Sequence, residues 1–143
     1  YLKNRNRQMI STPKLYMLDT GLAAYLTGWL TPETLMKGAV AGQFFESWCL
    51  AEILKSYVNA GIAPDFAYYR DKDDNEIDLI IQRNGTLYPI EFKKAARVKK
   101  DDAKSFSKLS IFQQKIGMGA VVSLYPDVQF VRENVRTVPA WRV

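Results

Sequence analysis

The spacing of apolar residues switches between helical and strand periods along the chain. Residues 14–18 read as a short strand. Asp19 or Thr20 can cap a short helix that runs through Leu26 and ends at Gly28. Thr31-Pro32-Glu33 is a second helix start, a hydroxyl cap followed by proline at the first helical position. Residues 42–59 form the longest helix candidate, closed by Gly61, with Leu50, Ile53, Leu54 and Tyr57 as its apolar stripe. Glu46 lies four positions before Leu50 and seven before Ile53, so a carboxylate sits on or beside that stripe. Three strand candidates follow, at 66–70, 76–82 and 86–93. Residues 102–115 read as a helix with Phe106, Leu109 and Phe112 at three-residue spacing, and 120–125 as a buried strand. Residues 128–143, with Pro139 and Trp141, read as a last strand and an irregular end. The core order is helix, strand, strand, strand, helix, strand. The expected fold class is therefore α/β, a mixed sheet flanked by helices.

Asn84-Gly85 fits a two-residue type I′ turn, whose two central positions both need positive φ. That turn sets Arg83 opposite Thr86, so paired positions add to 169. The same register sets Asp78 opposite Glu91 and Glu76 opposite Lys93. Alternation then puts these four on one face. Ile77, Leu79, Ile81, Tyr88, Ile90 and Phe92 fall on the other, as a core face.

Composition narrows the chemistry. The chain has 143 residues, 48% of them hydrophobic, enough for one packed core. It contains no histidine, which excludes His-based acid–base and nucleophilic catalysis and nearly every zinc site. A single cysteine, Cys49, excludes an internal disulfide; it reads as a small buried hydrophobe in a reducing compartment, the cytoplasm. No run of about 18 apolar residues suits a membrane span. No phosphate-binding glycine loop is present. Any polar chemistry must rest on carboxylates, Lys, Arg, Tyr or a hard metal.

Two carboxylates directly opposite each other lie about 4.5–5.5 Å apart at Cβ and repel. A divalent cation removes the repulsion, and oxygen ligands select Mg²⁺, Mn²⁺ or Ca²⁺ rather than zinc. Asp78 and Glu91 are the candidate ligands, with Glu46 as a third. Lys93, on the same face, can reach a scissile phosphate and stabilise the charge that builds there. The other reading of Glu76, Asp78, Glu91 and Lys93 is a ladder of surface ion pairs, each worth under about 1 kcal/mol.

The basic excess is modest: 20 basic against 15 acidic side chains give +5 and a pI near 9.3. Arg70, Lys94, Arg97, Lys99 and Lys100 are candidate nucleic-acid contacts, in a basic stretch that continues through Lys104 and Lys108. The stretch reads equally as a solvated loop and helix start, and Arg70 reads foremost as a partner of Glu76. Lys3, Arg5, Arg7 and Lys14 read as a solvated arm. Asp71, Asp73 and Asp74 read as a plain turn, Tyr68, Tyr69 and Tyr88 as sheet residues, and Trp48 as packing.

The element order, with Asp78 and then Glu91-Phe92-Lys93, resembles the restriction-endonuclease-like, or PD-(D/E)XK, nuclease superfamily. Ile77 stands where that pattern usually has Pro. The resemblance implies that Asp78 and Glu91 bind metal, that Lys93 serves catalysis and that Glu46 assists. A second resemblance covers nearly the whole chain. Lys14-Leu-Tyr-Met-Leu-Asp-Thr-Gly-Leu-Ala-Ala-Tyr-Leu26, Gly42 to Glu46, Tyr69-Arg70-Asp71-Lys72-Asp73, Asn75-Glu76-Ile77-Asp78 and Pro89-Ile90-Glu91-Phe92-Lys93 resemble, in order, the C-terminal domain of a bacterial and archaeal AAA-type ATPase family. It implies an ATPase domain upstream of Tyr1, in keeping with a chain that does not start with Met. The expected organisation is an arm, strand and short helices over 1–38 and a nuclease-like domain over 39–143. The expected function is Mg²⁺- or Mn²⁺-dependent phosphodiester hydrolysis on nucleic acid. The alternative is a catalytically inactive module that binds nucleic acid or protein, or regulates the ATPase. A third role, assembly of the ATPase, calls for an exposed apolar patch near the N-terminal strand.

Overall fold

The computed structural model describes residues 14–143. Lys3, Arg5 and Arg7 lie outside the described residues. Residues 14–18 are irregular rather than a strand. Helix α1 (Thr20–Leu26) is capped by Asp19, whose Oδ1 accepts the Leu22 N–H at 2.8 Å, and the chain leaves it through Gly28 at φ +79°. Helix α2 (Pro32–Lys37) is capped by Thr31 and α3 (Ala41–Asn59) is followed by Gly61 at φ +69°. Local capping chemistry thus sets the starts of α1 and α2, while α3 begins after Val40 with no side-chain cap.

Among the described residues, seven strands form one mixed sheet: β1 (Phe66–Arg70), β2 (Glu76–Arg83), β3 (Thr86–Lys93), β4 (Lys115–Ile116), β5 (Gly119–Ser123), β6 (Phe130–Arg132) and β7 (Val135–Pro139). The spatial order is β1-β2-β3-β5-β7-β6, with β4 also on β3. β1, β2 and β3 are antiparallel neighbours, while β3, β5 and β7 run parallel. Pro89, which has no N–H to donate, falls where the partner of β3 changes from β4 to β5. The tail is two strands and a short 3₁₀ turn, Ala140–Arg142, instead of one strand.

Both sheet faces are buried. Cys49 and Ile53 of α3 pack with Leu79, Ile90, Phe92 and Val122 on one side. Phe106 and Leu109 pack with Ile77, Ile80, Leu87 and Val121 on the other. Phe106 and Leu109 come from Lys100–Phe112, which is two 3₁₀ stretches joined at Ala103 rather than an α-helix reaching Lys115. Ala103, Phe106 and Leu109 are buried at three-residue intervals, and Phe112 packs beside them. A 3₁₀ helix repeats every three residues, so that spacing belongs to it and not to the 3.6-residue α period. Left-handed Gln113 (φ +53°) then turns the chain into β4.

The hairpin register is as the Asn84-Gly85 turn requires: Arg83 pairs with Thr86 and Leu79 with Ile90, with Asn84 and Gly85 at φ +50° and +71°. One face assignment is corrected. Ala67 pairs with Ile80 and Tyr69 with Ile77, two steps on β1 against three on β2. The extra residue is a bulge in β2 at Asp78–Leu79, and it sends Ile77 to the face opposite Leu79 and Ile81. No helix among the described residues is long and apolar enough to cross a membrane.

Candidate functional site

The ladder between β2 and β3 has its last backbone pair at Leu79↔Ile90. One residue beyond it, the Asp78 carboxylate accepts the Phe92 N–H at 2.9 Å in place of a ladder partner. At this end of the sheet a cleft of about 760 Å³ lies between the start of α3 and the start of the 3₁₀ segment. Glu46, Glu76, Asp78, Glu91, Lys93 and Lys94 all line it. Its wall carries seven acidic side chains against three lysines, so the cleft itself is acidic although the chain is basic.

Three carboxylates of its wall share a contact that no local feature of the sequence signals. The Lys14 ammonium sits 2.5 Å from Glu46 Oε1, 2.6 Å from Glu76 Oε1 and 3.1 Å from Asp78 Oδ1. The Tyr16 hydroxyl donates to the same Glu46 oxygen at 2.8 Å. Lys14 is therefore a half-buried cation at the centre of three carboxylates, not part of a solvated arm. Burial alone would lower its pKa; Asp78, Glu46 and Glu76 outweigh that and hold it well above the ordinary lysine value. Burial and the Glu46 acceptor likewise raise Tyr16.

The expected cross-strand pairing of Glu76 with Lys93 does not form. Glu76 stands opposite Arg70 on β1 and its carboxylate goes to Lys14, because the bulge moves the start of β2 out of the hairpin register. Lys93 instead pairs within its own strand, Nζ to Glu91 Oε1 at 3.1 Å. Asp78 and Glu91 line one cleft but hold different lysines. Both have raised pKa values, from burial first and then from neighbouring carboxylates. Glu91, next to Asp78, is pushed up to about 7.

That shift has a testable sign. Between about pH 4.5 and 7 the folded chain keeps a proton on Glu91 that the unfolded chain has lost, so stability falls as pH rises through this window. Glu91→Gln should remove about 2–3 kcal/mol of that fall. Urea denaturation at pH 5 and pH 8, wild type beside the variant, reads the difference directly; equal pH dependence would contradict it.

The basic candidates separate. Lys94 lines the cleft and its Nζ donates to the Met36 carbonyl at 2.8 Å. Arg97, Lys99 and Lys100 are exposed on the segment that follows β3. Arg70 pairs with Asp74 at 3.1 Å instead of Glu76 and does not line the cleft. Asp71 closes the acidic turn by accepting the N–H groups of Asp73 and Asn75. Cys49 is fully buried, with its thiol pushed up to about 12 by burial. Trp48 packs near Phe45, and Tyr88 lies against Gly117.

Oxygen donors are the right type for a hard divalent ion. Yet among the described residues no group of three or more acidic side chains is placed to hold a metal ion. Their point of convergence holds Lys14.

Comparison with known proteins places residues 41–143 in a family described as "Domain of unknown function (DUF4143)". The chain belongs to the DUF4143 family. Curated relatives include an uncharacterised protein of Mycobacterium tuberculosis and one of Mycobacterium bovis. Each is 29% identical over 97 residues, which is 67% of this chain and 21% of the relative. The DUF4143 chain thus spans about a fifth of the length of the curated relatives it matches. No solved structure matches it.

Proposed function

We propose that this DUF4143 chain is the nuclease-like C-terminal domain of a cytoplasmic AAA-type ATPase, and that its acidic cleft hydrolyses phosphodiester bonds of nucleic acid with Mg²⁺ or Mn²⁺. One observation carries the reading: carboxylates of α3, β2 and β3 gather with Lys93 in a cleft at the open end of a mixed sheet. A polyanion cannot approach so acidic a wall without cations to offset it. The resemblance to PD-(D/E)XK nucleases supports the same roles, and the much greater length of the relatives supports a larger parent protein.

Asp78, Glu91 and Glu46 would hold the metal, with Glu76 beside them. Bound there, the metal would polarise the phosphoryl oxygen and lower the pKa of an attacking water. Lys93 is 41% exposed, with room to swing from Glu91 to a phosphate oxygen. Lys94, Arg97, Lys99 and Lys100 would carry the nucleic-acid backbone past the cleft.

A second reading, a non-catalytic module that serves assembly of the ATPase, is favoured by a different observation. Leu15, Leu18, Tyr25, Leu26 and Leu30 are all more than half exposed near the N-terminal end of the described residues.

The test offers labelled duplex, single-stranded and branched DNA and RNA to the chain with millimolar Mg²⁺ or Mn²⁺. Cleavage that EDTA abolishes is the expected result. Combined Lys94→Ala, Arg97→Ala, Lys99→Ala and Lys100→Ala should weaken binding and reduce the log–log salt slope by about one for each phosphate no longer neutralised. Binding without cleavage of any substrate would favour a catalytically inactive nucleic-acid-binding module, and no binding at all would favour the second reading.

A further inference from the structure

The seating of Lys14 has a consequence beyond electrostatic stabilisation. Its three partners come from separate places, α3 and two positions of β2. The segment carrying Lys14 has no regular structure and pairs with no strand. Leu15 is 97% exposed and Leu18 is 55% exposed, so the apolar side chains of this segment do little to hold it down. Lys14 and Tyr16, alternate residues pointing inward, make its polar contacts with the domain. A segment held by ionic and hydrogen bonds, with little apolar burial, opens at low cost.

An ammonium group is a cation with three donors, and here it draws on oxygens that a hard divalent ion would also use. Two of the ligands proposed above, Glu46 and Asp78, each give Lys14 an oxygen, and a metal ion drawing on those oxygens would meet the ammonium at close range, where like charges repel.

We propose that residues 14–18 form an autoinhibitory strap, with Lys14 as an internal competitor for the divalent cation. This rests on the metal-dependent reading above. The site is closed when Lys14 lies among Glu46, Glu76 and Asp78, and loads metal only when the strap lifts. Apparent metal affinity then falls in proportion to the open fraction, so a strap closed about 99% of the time weakens binding about 100-fold. Tyr16 adds to the closed state through its bond to Glu46.

The experiment titrates the full chain with Mn²⁺, following the free-ion electron paramagnetic resonance signal, for wild type, Lys14→Met, Tyr16→Phe and Asp78→Asn. Circular dichroism verifies folding. The expected result is Mn²⁺ binding at least about tenfold tighter in Lys14→Met, a smaller gain in Tyr16→Phe and none in Asp78→Asn. A second measurement uses wild type alone: acetic anhydride labelling of Lys14, read by mass spectrometry, should increase when Mn²⁺ is added. Equal affinity in wild type and Lys14→Met, lost in Asp78→Asn, overturns the strap and leaves the metal site standing. A folded Lys14→Met that binds no Mn²⁺ overturns the metal site and the strap together. If Lys14→Met does not fold, labelling of Lys14 that ignores Mn²⁺ overturns the strap.

Discussion

Asp78→Asn is expected to lower divalent-dependent cleavage at least about 1,000-fold while leaving the fold in place. The two halves of this expectation have separate causes. Asn matches Asp in shape, and its amide oxygen can still accept the Phe92 N–H that Asp78 takes at 2.9 Å. It also relieves a buried carboxylate whose pKa is raised by burial and by Glu46. Set against that gain is the lost attraction to Lys14, so the net stability change should stay within about 1 kcal/mol. Catalysis has no such compensation. A neutral amide is a poor ligand for a hard divalent ion, and the stabilisation of transition-state charge by such an ion is worth several kcal/mol. About 4 kcal/mol corresponds to three orders of magnitude in rate. The comparison should be made in wild type and in Lys14→Met, with urea melts alongside. Cleavage within about tenfold of the parent in both backgrounds would remove Asp78 from the mechanism.

Lys14→Met is expected to be the most destabilising single change at the cleft in metal-free buffer. Met keeps the apolar stem but leaves Glu46, Glu76 and Asp78 facing one another without a cation. Breaking a fully buried ion cluster costs about 3–5 kcal/mol. Here Asp78 is nearly buried while Glu76 is 35% exposed, so solvent screens part of the repulsion. About 2–3 kcal/mol remains, a Tm decrease on the order of 10 °C for a chain of this size. Mn²⁺ should recover much of the loss, because a ligand at about 100 times its Kd adds about 2.7 kcal/mol. Wild type, with Lys14 already in the position, should gain less. Thermal melts with and without Mn²⁺ measure both quantities. A variant as stable as wild type without metal would show that Lys14 neutralises nothing important.

Much of the fold is legible in the sequence because its signals are local. Asp19 and Thr31 cap helices through bonds to residues three positions away. Asn84-Gly85 determines the hairpin register because few other pairs accept two positive φ angles. The three-residue spacing of Phe106, Leu109 and Phe112 is visible too, but not the 3₁₀ geometry it belongs to. Glu46, Asp78, Glu91 and Lys93 stand out by their positions, and all four line the cleft. Which charges pair is not legible in the same way. The expected Glu76–Lys93 pair requires strict alternation along β2, and a bulge at Asp78–Leu79 breaks it.

By itself, then, the sequence determined the caps of α1 and α2, the central hairpin, the α/β class and four of the acidic residues of the cleft, Glu46, Glu76, Asp78 and Glu91. Each depends on neighbours a few positions apart or on side-chain alternation. Only the tertiary structure decided the sheet order, the bulge in β2 and the seating of Lys14. Its ion-pair partners lie 32, 62 and 64 positions along the chain. A lysine in an irregular segment carries no local mark of such a role. Its place is chosen by three carboxylates that repel one another until a cation joins them, and they meet only when α3 packs against the sheet.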